Sequence, residues 1–263
     1  MRVLITAGFD GSKAAIALCE LLTRCGHNVE TVLVVTPFSV ARLAEMLRQR
    51  GLSGVKNLAR KLLRIDGSAL EVDLLSRFLE ESNIEAKSLR SWAKSNQTTY
   101  KTVKNLNCDE SVDAVKLSSP DIVIYAGGGI LRSSFIEAAN FKIINNHSGP
   151  LPEIRGMNAV EWSVLLGHEP AASIHIIDNG IDTGKIISRR TFAIGKGATI
   201  ESLRQRAVVA GLLEIIDLFD GLESFSALGF EDNKGVAAGR QCYIMAPAIR
   251  ELTEKKLERI LYA

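Results

Sequence analysis

Asparagine and histidine stand two residues apart in the stretch Ile143–Pro152, IINNHSGPLP, where an apolar run gives way to two amides, an imidazole and then a Ser-Gly-Pro break. Alternation along an extended chain turns Asn145 and His147 to one side and Asn146 to the other. An amide beside an imidazole is a minimal kit for acting on a carbonyl: the amide N–H donates to an oxygen gaining charge, and the ring moves a proton. Asp182, in the turn GIDTG, is the carboxylate that could orient the ring. Two other segments carry chemical patterns. YAGGGIL, 125–131, sets three glycines after an apolar run, which leaves backbone amides and carbonyls bare for a flat ligand. GFDGS, 8–12, opens a helix-like stretch, where Gly11, Ser12 and Lys13 could meet a phosphate. Its glycine spacing fits neither a GxGxxG nor a Walker loop, so a tight strand-to-helix turn is an equal reading. His175 reads as a structural residue or a neighbour of the reacting group, and His27 and His168 read as solvated.

These residues need elements to hold them. Val3 to Ala7 is a short apolar run, and Lys13 to Arg24 carries Ile16, Cys19, Leu21 and Leu22 on one helical stripe, a β-turn-α opening. Thr31 to Val35 reads as a second strand buried on both faces, stopped by Pro37. From 39 to about 96 the pattern is mostly helical, with Ser39 as a cap and Gly51 and Gly67 as breaks. TYKTVKNLN, 99–107, reads as strand or loop, Asp109 to Leu117 as a helix, and DIVIYA, 121–126, as a buried strand. The parallel rhythm lasts to residue 147. Met157 to Leu166 is then helical, and ASIHII, 172–177, and KIISRRTFAI, 185–194, form an antiparallel pair across the DNGIDTG loop. Thr199 caps a long amphipathic helix reaching Phe219. The fold class is therefore α/β: a Rossmann-like, mostly parallel sheet with helices on both faces and a small C-terminal appendage. Residues 1–222 form the main domain, with a helical insert at about 39–96, and 223–263 a short extension.

Composition narrows the function classes. At 46% hydrophobic and 24% charged, the 263-residue chain is no disordered tail. The net charge of +2 comes from interspersed charges, and the basic segment NLARKLLR, 57–64, has the apolar spacing of a solvated helix face rather than a nucleic-acid footprint. Cys19, Cys25, Cys108 and Cys242 are scattered, without zinc spacing, as in a reduced cytoplasmic protein. The N-terminal apolar run is too short for a signal or a membrane span.

The order GGGIL, NNHSGPLPEIRG, WSVLLG and GIDTGKII resembles the tetrahydrofolate-dependent formyltransferases, the group that includes glycinamide ribonucleotide, methionyl-tRNA and nucleotide-sugar N-formyltransferases. The resemblance covers roughly residues 115 to 220. It implies formyl transfer from N10-formyltetrahydrofolate to an amine, with no metal. Carried over, the family's catalytic residues fall on Asn145, His147 and Asp182, the carboxylate holding the imidazole through a bound water. The folate pocket falls on Ile124, Gly129, Ile130, Leu131 and Ile136, with Ile177, Asp178 and Gly180 from the following loop. Ser148-Gly149 departs from the family's usual pair, and the 39–96 region is longer than in the purine enzyme.

The acceptor follows less directly. Only about forty residues come after Asp220, too few for the tRNA-binding domain of methionyl-tRNA enzymes, and Gly-Ser-Lys at 11–13 replaces the purine enzyme's Gly-Ser-Asn loop. The insert and the tail GRQCYIMAP look more like the sugar-modifying branch. The expected partner is thus a small, phosphate-bearing amine, a nucleotide-linked amino sugar first and phosphoribosylglycinamide or another small amine next. No nucleic acid or membrane is expected, and a homodimer stays open. A formyltetrahydrofolate hydrolase and a folate-binding regulator without turnover are the other readings.

Overall fold

The computed structural model describes residues 1–36, 73–233 and 240–262 of the chain. Expectations for Ser39, Gly51, Gly67 and the 57–64 segment lie outside the described residues. Strand β1 (Arg2–Ala7) is buried along all but its first residue, which is why it reads as an unbroken apolar run. Ser12 caps the next helix, α1 (Lys13–Arg24), its hydroxyl accepting from the Ala15 N–H. Then come β2 (Asn28–Val35), α2 (Leu74–Glu81), α3 (Leu89–Ser95), β3 (Thr99–Val103), α4 (Asp109–Ser118), β4 (Ile122–Ala126), α5 (Ser133–Ala138) and β5 (Ile143–His147). Further on lie β6 (Ile154–Gly156), α6 (Ala159–Leu166), β7 (Ala171–Ile176), β8 (Ile186–Thr191), α7 (Ile200–Phe219), β9 (Arg240–Cys242) and α8 (Pro247–Tyr262).

Among the described residues the main sheet has seven strands in the order β3-β2-β1-β4-β5-β7-β8. The first five run parallel, and β7 and β8 join antiparallel to β5 and to each other. Strand order reverses between β2-β1 and β4, the kind of switch point beyond whose carboxyl ends ligands of open sheets bind. Gly8 and Gly127 end β1 and β4 there, so closely that a Cβ on Gly127 would lie 3.4 Å from the Gly8 nitrogen.

Helices cover both faces. One core layer joins α1, α2, α3 and α7 to alternate residues of β1, β2 and β4. The other joins α4 and α5 to the residues between them, among them Leu4, Leu33 and Val123. The C-terminal extension packs onto the main domain. β9 pairs in parallel with β6, Leu257 of α8 packs with Val160 and Val164 of α6, and Lys256 donates to the Leu165 carbonyl. His27, expected in solvent, is buried: its Nε2 lies 2.8 Å from the Phe219 carbonyl. The loop before α1 is occupied at its acid, because Asp10 accepts from the Arg90 N–H and the Tyr100 hydroxyl. No helix of the described residues is long and apolar enough to cross a membrane.

Candidate active site

The last residues of β5 carry the site. Asn145 pairs across the sheet with His175 of β7, and His147 with Ser173. Alternation sends Asn146 to the opposite face, against α7, where Gly211 makes room: a Cβ there would come within 1.9 Å of the Asn146 amide. Asn145 and His147 therefore share one side, where they meet Asp182 from the β7–β8 loop.

Hydrogen-bonding capacity divides the two imidazoles. His147 Nε2 lies 2.9 Å from the Ile154 carbonyl, and its Nδ1 3.3 Å from Asp182 Oδ2. Both of its nitrogens face acceptors, so the ring is held at both edges. His175 instead has Nδ1 against the Ile176 carbonyl at 2.9 Å and Nε2 at 3.0 Å from the Asn145 amide nitrogen. A neutral ring fits this arrangement, donating at Nδ1 and accepting at Nε2. Burial pushes His175 down from 6.5 to about 4, outweighing Asp182 Oδ1 at 3.5 Å. Holding one Asn145 N–H in this way fixes which end of the amide faces the ring, and the second N–H remains to donate toward the cavity that Asn145 lines.

Asp182 is placed with more constraint than its neighbours. Its backbone is left-handed, at φ 51°, and its Oδ2 accepts from the Gly156 N–H at 2.8 Å. Contact with His147 is direct, where the sequence suggested a water between them. Asp178 folds the start of the loop by accepting from the Gly180 N–H and the Thr183 hydroxyl. Ser173 holds the chain after β5, donating to the Gly149 carbonyl and accepting from the Leu151 N–H. Gly149 has to be glycine, since a Cβ would lie 2.7 Å from that of Ala159 and 3.0 Å from His147 Nε2.

A cavity of about 590 Å³ opens onto these groups. Gly129, Ile130, Leu131, Ile177, Asp178 and Gly180 line it together with Asn145, His147 and Asp182. Ile124 and Ile136 do not: both are fully buried, in opposite core layers. The strand's alternation explains the first correction, because it gives Tyr125, not Ile124, to the cavity side. Gly11, Ser12 and Lys13 lie away from it as well. Ser12 is spent on its cap, and the Lys13 ammonium is bound to Asp73 and Ser76. Burial would raise the Asp73 carboxyl, but Lys13 and the Ser76 hydrogen bonds hold it down at about 2.

Sequence reasoning missed Met157 and the trio Gln241, Cys242 and Tyr243, which also line the cavity, whereas Asn179 and Ile181 belong to the 177–182 loop that it placed there. The trio reaches it only through the β6–β9 pairing, and Tyr243 is pinned by Trp162 donating to its carbonyl.

A mostly parallel sheet that brings an amide, an imidazole and a carboxylate onto one cavity defines an α/β protein with a single polar cluster at the end of β5. The profile of the formyl transferase family matches residues 1–212, and the chain belongs to that family. A methionyl-tRNA formyltransferase of Finegoldia magna is 27% identical over 139 residues, 52% of this chain and 45% of that protein. The chain spans about half the length of the curated relatives it matches. Among solved structures, a sugar N-formyltransferase from a Shewanella species aligns with a TM-score of 0.58 at 13% identity, covering 98% of this chain and 87% of that one. A glycinamide ribonucleotide transformylase from Symbiobacterium toebii aligns at 0.55 and 15%, covering 84% and 86%. At such identities the structures establish a shared fold.

Proposed function

We propose that this chain moves a formyl group from N10-formyltetrahydrofolate to a primary amine. The observation that carries the proposal is the convergence of Asn145, His147 and Asp182 on one cavity, with Asp182 against His147 and His175 linking Asn145 to Asp182. The cavity fits the donor's flat ring: its volume is in the range of small-molecule sites, and Gly129 brings bare backbone to its wall.

The residues divide the work. Asn145 donates its free N–H to the formyl oxygen as the amine nitrogen bonds to the formyl carbon and that oxygen becomes an oxyanion. Such a donor is worth about 3 to 4 kcal/mol of barrier. His147, oriented by Asp182 and the Ile154 carbonyl, stands on the same cavity. The bond from the formyl carbon to N10 then breaks; the amine gives up a proton to the Asp182 carboxylate, which lines the cavity beside His147 Nδ1, and that carboxyl returns the proton to N10. His175 keeps the Asn145 amide facing the right way and does not itself meet the substrate.

For the acceptor we favour a nucleotide-linked amino sugar. Support comes from the extent of the fold: the sugar enzyme's structure aligns over 98% of this chain, against 84% for the purine enzyme. Lys13 gives the phosphate no support, being tied to Asp73. Incubation with N10-formyltetrahydrofolate and a panel of amines, read by mass spectrometry, tests both levels. A gain of one formyl group on a nucleotide-linked amino sugar is the expected result. Formate without a formylated amine would make the chain a hydrolase, and formylation of non-phosphorylated amines alone would end the nucleotide-sugar reading.

A further inference from the structure

The matched family region stops at residue 212, yet the catalytic carboxylate is held from beyond it. Past α7 the chain returns along β8, where Glu231 and Ile186 exchange backbone hydrogen bonds of 2.7 and 3.0 Å. Two residues later the Asn233 amide donates both its hydrogens into the Asp182 loop, to the Asp182 carbonyl at 3.0 Å and the Gly184 carbonyl at 2.8 Å. The reverse orientation of the amide would set its oxygen against two carbonyl oxygens, so this donor geometry is the only one that bonds.

The loop has a need for such a clamp. Asp182 sits at φ 51°, a left-handed conformation that costs an ordinary residue about 1 to 2 kcal/mol. Backbone of that kind persists where its surroundings over-determine it. Asp178 folds only the first half of the loop, through Gly180 and Thr183. On the far side Gly184 runs so close to β7 that a Cβ would lie 1.9 Å from the Ile176 carbonyl, leaving no side chain there to anchor the turn. Asn233 bridges the two carbonyls on that side, and the opposite side of Asp182 is where its carboxylate meets His147, His175 and the Gly156 N–H.

We infer that Asn233 is a positioning residue for the reaction: its bidentate amide holds the Asp182 loop so that the carboxylate meets His147, making the segment after α7 part of the catalytic apparatus. The inference rests on the proposed formyl transfer for its kinetic reading, and its structural reading does not depend on any activity.

The test compares Asn233→Ala and the nearly isosteric Asn233→Asp with the wild-type full-length chain. Replacing the amide by a carboxylate keeps the packing but removes both donors. In either variant the Gly156 amide, deprived of a fixed Asp182 Oδ2, should exchange with deuterated solvent at least about tenfold faster, while core amides of β1 and β4 keep their protection. The kcat for formyl transfer should fall about 10- to 100-fold, as expected when a catalytic group moves by about 1 Å, with KM for the formyl donor nearly unchanged. Unchanged Gly156 exchange in both folded variants would overturn the inference, whatever the protein is found to catalyse. So would a kcat equal to wild type in the Asp variant, since only packing would then matter. Absence of formyl transfer in the wild type, with faster Gly156 exchange in the variants, would sink the proposed reaction and leave the clamp standing.

Discussion

Acidification through the window between pH 6.5 and about 4 should destabilise the wild-type protein more than a His175→Gln variant, because His175 is buried neutral. The folded protein holds this imidazole at about 4, against 6.5 for a free one, so within that window the unfolded chain takes up a proton that the native state refuses. Stability attributable to the neutral ring is complete above pH 6.5 and declines as pH falls toward 4. The slope approaches about 1.4 kcal/mol per pH unit and the whole loss is about 3 kcal/mol, a large part of the roughly 5 to 15 kcal/mol of an ordinary domain. Gln at 175 does not titrate and keeps an oxygen that can accept from Asn145, so its curve carries the contribution of all other groups. Urea unfolding of both proteins across the window, followed by circular dichroism, gives the difference. Parallel curves would refute the reasoning, since they would mean that the native state takes up a proton at His175 as readily as the unfolded chain does, and the ring is not held neutral through the window.

Two further perturbations separate the cavity from its surroundings. Gly129 sits at φ 97°, with its carbonyl accepting from the Tyr125 hydroxyl, so Gly129→Val should weaken binding of a folate ligand at least about tenfold, with the sheet intact by circular dichroism; unchanged affinity in calorimetry would remove this wall from the donor site. Lys13→Ala should leave the KM for the acceptor within about twofold and lower stability by about 1 kcal/mol or less, because its charge serves a half-exposed pair with Asp73; a several-fold rise in acceptor KM would return Lys13 to the substrate.

The parallel half of the sheet and the placing of Asn145 and His147 together at the end of β5 were legible because each signal is local. Strands β1, β4 and β5 are buried on both faces and so read as apolar runs, and the polar break at Asn145 and His147 marks where β5 leaves the core. Thr199, with Ser202 in a reciprocal capping box, announces α7 by chemistry within four residues. What stayed hidden depends on partners far along the chain. β6 and β9 are three residues each and exist through pairing with one another, so neither has a periodicity of its own. The six-residue α5 lacks a side-chain cap. Ile124 and Ile136 were assigned to the ligand because an apolar residue in a core and one on a cavity wall are alike in sequence; only the alternation at Ile124-Tyr125 tells them apart. Asn233 stands among polar residues after α7, and nothing near it says that it will meet the loop of Asp182.

The most direct test of the account is single-turnover formyl transfer by wild type, Asn145→Ala and His147→Ala, with folate binding measured on the same samples. Loss of the oxyanion donor should slow the transfer step about 100- to 1,000-fold in Asn145→Ala, and loss of the imidazole should produce a decrease of similar order in His147→Ala, while both proteins bind the folate with affinity near that of wild type. Transfer at near wild-type rates in either variant would contradict the account, since the reaction would then be carried by groups other than those at the end of β5.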